Sequence, residues 1–401
     1  MNRQRLLIIL GFILLTLLLA LGMYWFFFRP FFAPTAAPPI VIPPVTTLPP
    51  APPAVGVLPP APPVAVPPAP AEVAAGGAVV AAPVTSTAIS NPTLSPAGQS
   101  SSFYHPPDGQ FYRVGPDGAA QEIDGRVFHN VQNVTWAGDR NRAILEYPDQ
   151  SKILYNFATQ TQITLPRHWQ NFSFSPTGEQ IAFLSLGLDE QNRWLAIANA
   201  DGSKTQAIEP VGNNADKVQV AWSPNNQIVA FSRTGQAQGL NSQEVLFIGK
   251  NRENFKSLLV NGIGFLGQWS PDGERVLYSA TSGDDDWKPR LWIAGGDVDT
   301  IGDGKTQLAL NTWADKCAFA DAAAVYCAVP KNLPRGAGLY RQASETTADD
   351  IYRIDTSTGA IALVGVPTEN YTVGRIMVTE DGGYLYFTDR SSGQLYKINL
   401  R

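Results

Sequence analysis

From about residue 130 onward, apolar and polar positions alternate in short runs separated by turn residues, the signature of half-buried β-strands. Six segments share one plan: an aromatic or apolar residue, a turn, then an alternating run. They are VTWAGDRNRAILEY at Trp136, FSFSPTGEQIAFLS at Phe174, VAWSPNNQIVAFSR at Trp222, GQWSPDGERVLYSA at Trp269, CAFADAAAVYCAV at Phe319 and IMVTEDGGYLYFTD at Val378. The anchors are spaced by 38, 48, 47, 50 and 59 residues. Self-similarity at this period marks a repeat architecture, and propeller blades run about 40–50 residues.

One unit explains the rest. Trp269 faces the core, Ser270-Pro271-Asp272-Gly273 makes a tight turn, and Val276 and Tyr278 return with period two. A second hairpin follows in most units, as in WLAIANADGSKTQAI (194–208), VLFIGKNRENFKSLL (245–259) and IYRIDTSTGAIALV (351–364). Each unit is therefore a four-stranded blade. A lone blade cannot bury both faces, so blades must stack around an axis. The predicted fold is an all-β, six-bladed β-propeller over 103–401, or seven-bladed if residues 103–126 contribute more than a closing strand. GQFYRVGPDGAAQEI (109–123) resembles an outer hairpin without its inner one, and GQLYKINLR (393–401) a third strand without a fourth. An N-terminal strand is expected to complete the last blade.

The N-terminal quarter has a different pattern. Leu6 to Phe28 is 23 residues without a charge, long enough for a transmembrane helix. Arg3 and Arg5 precede it and Arg29 follows, which puts the N-terminus in the cytoplasm and the remainder outside. The run is longer than a signal-peptide core and ends in bulky aromatics, so residues 1–29 read as a retained signal-anchor, with a signal peptide cleaved at Ala33 to Ala37 as the alternative. Residues 30–102 are rich in Pro, Ala and Val, with repeated Pro-Pro pairs. They are expected to form a disordered, largely polyproline II spacer.

The WSPDG-type turn after a core aromatic resembles the repeat of TolB-type propellers, relatives of WD-repeat blades. The match is clearest at Trp269–Tyr278, Trp222–Phe231 and Phe174–Phe183. The resemblance implies the fold and a general habit of binding proteins. TolB's additional α/β domain has no counterpart here, so its partner is not implied.

Composition narrows the chemistry. The 103–401 region holds 26 Lys and Arg against 33 Asp and Glu, a net −7 without a basic stripe, which excludes nucleic acid as an expected partner. No GxSxG elbow, HExxH or phosphate loop occurs, and the three histidines His105, His129 and His168 have no ligand spacing. The inner strands read as apolar, without a ring of acids or histidines. Asp297, Asp299 and Asp303 are spaced as in a calcium loop, but Ile301 and Leu308 stand where further ligands belong. No other cofactor is expected.

Binding is expected on the face carrying the second-to-third-strand loops, which are long at 234–243, 281–290 and 331–350. These carry Trp287, Lys288, Arg335, Tyr340 and Arg341, residue types suited to binding. Cys317 and Cys327 lie symmetrically about Ala322 on one inner hairpin, within disulfide range. The functional expectation is a non-catalytic protein-interaction module of the cell envelope, single-pass in the cell membrane with its propeller periplasmic or extracellular. Its partner would be an envelope protein or a cell-wall component. A lectin-like head and an enzyme using the central funnel are the alternatives.

Overall fold

The computed structural model describes residues 14–24 and 69–401, except 116, 117, 237, 240 and 345. The chain divides into two compact units, Met1–Val66 and Pro67–Arg401. In the first, residues 14–23 are helical. No helix among the described residues is long and apolar enough to cross a membrane. The rest of the expected span Leu6 to Phe28, and the Pro-dense stretch 30–68, lie outside the described residues.

The second unit is a β-propeller with seven sheets of strands among the described residues, not six. The additional blade comes first: Ser90–Leu94, Ser101–His105, Gln110–Val114 and Ala120–Glu122, paired in sequence order. The hairpin at 109–123 thus has its inner partner after all, in residues assigned above to the spacer. The expected boundary at 102 falls inside a strand, and residues 71–102 belong to the folded unit. Blade 2 is Asn133–Trp136, Arg142–Glu146, Lys152–Asn156 and Thr161–Leu165; blade 3 is Trp169–Phe174, Gln180–Leu186, Arg193–Asn199 and Gln206–Pro210. Blade 4 is Val218–Val220, Ile228–Ser232, Ser242–Gly249 and Leu258–Asn261; blade 5 is Ile263–Trp269, Arg275–Thr281, Pro289–Gly295 and Thr306–Gln307. Blade 6 is Cys317–Asp321, Ala324–Pro330, Asp349–Asp355 and Ile361–Pro367.

Blade 7 closes the ring. Val373–Val378, Tyr384–Asp389 and Leu395–Asn399 are its first three strands, and Ala82–Pro83 pairs antiparallel with Leu395–Asn399 as the fourth. Ala78–Val79 adds a parallel fifth strand to blade 6. One N-terminal segment therefore stitches the outer edges of two neighbouring blades, as the expected closing strand requires and one blade beyond it.

Seven apolar clusters hold the ring, one at each interface between neighbouring blades. Between blades 2 and 3, for example, Ile144 and Leu154 meet Phe172 and Phe183; between blades 7 and 1, Met377 and Tyr386 meet Phe103 and Val114. The lower face carries the turns from first to second strand, and these repeat one device. A hydroxyl accepts the amide five residues on: Ser95 from Ser100, Ser175 from Gln180, Ser223 from Ile228, Ser270 from Arg275 and Thr379 from Tyr384, at 2.9–3.2 Å. Three residues after each hydroxyl the chain turns left-handed, at Gly98, Gly178, Asn226, Gly273 and Gly382. The turn Ser95-Pro96-Ala97-Gly98 is one of these five copies and was readable in the sequence. It was masked because the strand before it is built from Ser, Asn, Pro and Thr instead of an aromatic-led run.

Cys317 and Cys327 are directly opposite in the first hairpin of blade 6 and form a disulfide. Both are buried in the cluster between blades 5 and 6, beside Leu277 and Leu310. The bridge takes a core position in a blade whose turn lacks the hydroxyl device.

Candidate ligand face

The upper face carries the second-to-third-strand loops and the connections between blades. There the long loop of blade 6 lies back across that of blade 5. The Gly336 amide donates to the Asp286 carbonyl and the Gly338 amide to the Trp287 carbonyl, each at 2.8 Å. Gly338 is required at this crossing, because a Cβ would fall 2.1 Å from Thr281 Oγ1. Asp286 and Trp287 both adopt left-handed backbone conformations, which turns the blade 5 loop to receive its neighbour. The two loops form one ledge. Gly338 and Leu339 also border a cavity of about 640 Å³ that reaches Lys217, Arg233 and Thr234 of blade 4.

The structure sorts the expected binding residues. Tyr340 is 75% exposed and Leu339 beside it 46%, so the tip of the ledge presents an aromatic and an aliphatic side chain to solvent. Arg335 is also open, 3.8 Å from Asp286, in a pair exposed on both sides and worth little energetically. Trp287 and Lys288 are half-buried, and the Trp287 ring lies against Gly283. Arg341 is engaged: it pairs with Asp315 at 2.8 Å and stacks over Trp313. It fastens the base of the long loop to the entry of blade 6.

Beneath that base is a feature that sequence reasoning missed. The Lys316 ammonium is buried and contacts both carboxylate oxygens of Asp349, at 2.6 and 2.8 Å. Asp349 also accepts the Val373 amide of blade 7. Burial pushes the Asp349 carboxyl up and the Lys316 ammonium down, while their pairing opposes both. The partners are 33 residues apart, so no local pattern linked them.

The expected calcium loop lies on the lower face, between the outer strands of blade 5. Asp297 accepts the Asn225 side-chain amide at 3.2 Å, and Asp303 pairs with Lys256 at 2.6 Å. Ile301 and Leu308, which break the calcium pattern, are core plugs that are fully buried. No three His, Cys, Asp or Glu side chains among the described residues come together as a metal site. His105 is occupied by Thr87 and Asp108, and His168 packs edge-on to Trp169.

The axis differs from expectation. The inner strands are not uniformly apolar. Three residues before the anchor of each first strand stand Asn91, Asn133, Asn171, Gln219, Leu266, Lys316 and Arg375. Gln219 and Gly267 exchange hydrogen bonds across blades 4 and 5, at 2.7 and 3.0 Å. A cavity of about 620 Å³ is bordered by first-strand residues of blades 1, 4, 5, 6 and 7, among them Gln219, Gln268, Phe319 and Arg375.

Neither a protein-family model nor a curated relative matches the chain. Solved structures do resemble it. The β-propeller domain of Cps50 (Swd1) from Myceliophteria thermophila aligns at 12% identity and TM-score 0.52, over 78% of this chain and 96% of that one. Oligogalacturonate lyase in complex with manganese aligns at 13% identity and TM-score 0.51, over 77% and 88%. The tricorn protease aligns at 10% identity and TM-score 0.51, over 80% of this chain but 34% of that protein. At these identities the likeness concerns the fold alone: this chain is a β-propeller.

Proposed function

We propose that the chain is a non-catalytic protein-binding head, carried outside the cytoplasm on an N-terminal membrane anchor and related to the TolB-type propellers. The observation that carries this reading is the ledge of the blade 5 and blade 6 loops, which holds Leu339 and Tyr340 open on a backbone fixed by cross-loop hydrogen bonds. Rigid loops that present an aromatic anchor suit binding, because little conformational entropy remains to be lost. The apolar, uncharged run at Leu6–Phe28 supports the anchor, and the Pro-rich stretch after it supports a spacer between membrane and head.

The test is crosslinked pull-down of the full chain from intact envelopes, comparing wild type with Leu339→Ser/Tyr340→Ala. Deleting 331–350 would also remove Asp349 and is the wrong variant. A defined envelope protein captured by wild type and lost from the double variant supports the proposal. An unchanged set of captured proteins removes the ledge from the binding site. Capture of isolated cell-wall glycan, lost in the same variant, would replace the protein-binding reading with the carbohydrate-binding one. A reporter fused after Arg401 that is active only in the cytosol would overturn the topology.

A further inference from the structure

Arg375 occupies a singular position in the ring. It sits in the first strand of blade 7, beside a register shift between Val373 and Ile376 that interrupts the ladder. Such irregularities re-aim side chains. The equivalent positions of blades 1 to 4 hold amides, which carry no charge. Blade 6 holds Lys316, whose charge is consumed by Asp349. Arg375 has neither solution: among the described residues its guanidinium has no hydrogen-bond or ion-pair partner. It is exposed within the axial cavity, while protein around it lowers its pKa by desolvation. A guanidinium keeps its charge in proteins, so it offers five N–H donors in a fixed fork to whatever enters.

The remaining lining decides the class of ligand. Asp315 is the one acid bordering the cavity among its described residues, and it is paired with Arg341. Gln219 is occupied by Gly267, and Gln268 is placed to donate to the Ala314 and Cys317 carbonyls. Leu94, Leu266, Phe319 and Met377 supply apolar wall. Arg140 also borders the cavity, but it is paired with Glu380 at 2.9 Å and donates to the Ser95 carbonyl. One unpaired cation beside a paired carboxylate suits a singly charged anion better than a doubly charged one, and apolar wall suits an organic body. We propose that the axial cavity binds a small organic monocarboxylate, held by its carboxylate on the Arg375 guanidinium. This site is separate from the loop ledge and stands without it.

Benzoate, acetate, inorganic phosphate and benzylamine serve as probes on the full chain in detergent, read by thermal shift and calorimetry. A second readout on wild type is mass-spectrometric mapping of phenylglyoxal modification at Arg375. Benzoate is expected to raise the melting temperature and protect Arg375, with phosphate weaker and benzylamine inert. Arg375→Gln should weaken benzoate at least about tenfold, the scale of one lost charge-assisted hydrogen bond. Arg375→Lys, which keeps the charge without the fork, should fall between. Equal benzoate affinity in Arg375→Gln, absence of both shift and protection in wild type, or phosphate binding as tightly as benzoate would each overturn the assignment. Capture of a partner through Tyr340 should be unchanged in Arg375→Gln, so failure of either proposal is read independently of the other.

Discussion

The two faces of the propeller solve the same connection problem by different physics. On the lower face, five turns repeat one local device: a hydroxyl that accepts the amide five residues on, with a left-handed residue between them. The device itself closes within a few residues, and neighbouring turns add contacts to it, such as the Glu380 amide on the Gly98 carbonyl. On the upper face the blade 5 and blade 6 loops are held by contacts between distant segments: Gly336 to Asp286 and Gly338 to Trp287 cross from blade 6 to blade 5, while Arg341 to Asp315 and Lys316 to Asp349 tie the long loop to the entry of its own blade. Local turns make the scaffold repeat, whereas long-range contacts make one sector of one face distinct. That sector carries the ledge on which the proposed binding function rests.

The largest expected effect breaks the upper face. Lys316→Met leaves the Asp349 carboxylate buried without its counter-charge and should destabilise the head by about 3–5 kcal/mol, measured by denaturant unfolding. Lys316→Met/Asp349→Leu should recover most of that loss, because no uncompensated charge remains. A double variant as unstable as the single one would show that the pair fixes geometry and not only charge.

A smaller effect sharpens the lower face. Gly273 has φ +76°, and an added Cβ would lie 2.8 Å from the Asn225 backbone nitrogen. Gly273→Ala should therefore cost at least about 1–2 kcal/mol. Asn226→Gly, at the equivalent place in blade 4, should be nearly neutral because glycine accepts the same left-handed conformation. Equal losses from both would mean that the turns are not equivalent.

The smallest effect is a pH dependence of an outer turn. The Asp355 carboxyl accepts hydrogen bonds from Ser357 and Thr358, which hold its pKa down at about 2. A depressed folded-state value means that this contribution is complete above the ordinary carboxylate range, near 3.8, and is lost as pH falls toward about 2. The melting temperature of wild type should fall more steeply across that window than that of Asp355→Asn. Parallel curves would remove the turn from the acid response.

Much of the scaffold was legible because its determinants are local. The Ser-Pro-x-Gly turns at Phe174 and Trp269, the period-two runs after them and the facing cysteines each act over a dozen residues or fewer. The inner hairpin of blade 1 escaped notice because Ser90–Leu94 lacks an aromatic anchor and lies in a Pro/Ala-rich neighbourhood, although Ser95-Pro96-Ala97-Gly98 carried the same turn. The loop ledge was legible as residues but not as an arrangement. Tyr340 and Arg341 are adjacent in sequence, yet one stands in solvent and the other is fastened to Asp315 and Trp313.

The sequence alone determined the blade plan, the placement of the disulfide and the need for an N-terminal strand to close the ring, since period, turn chemistry and pairing register are short-range properties. Only the tertiary structure decided the blade number, the burial of Lys316 against Asp349 and the isolation of Arg375 on the axis. Those depend on which residues distant in sequence meet, and folding brings them together without leaving a mark in any single segment.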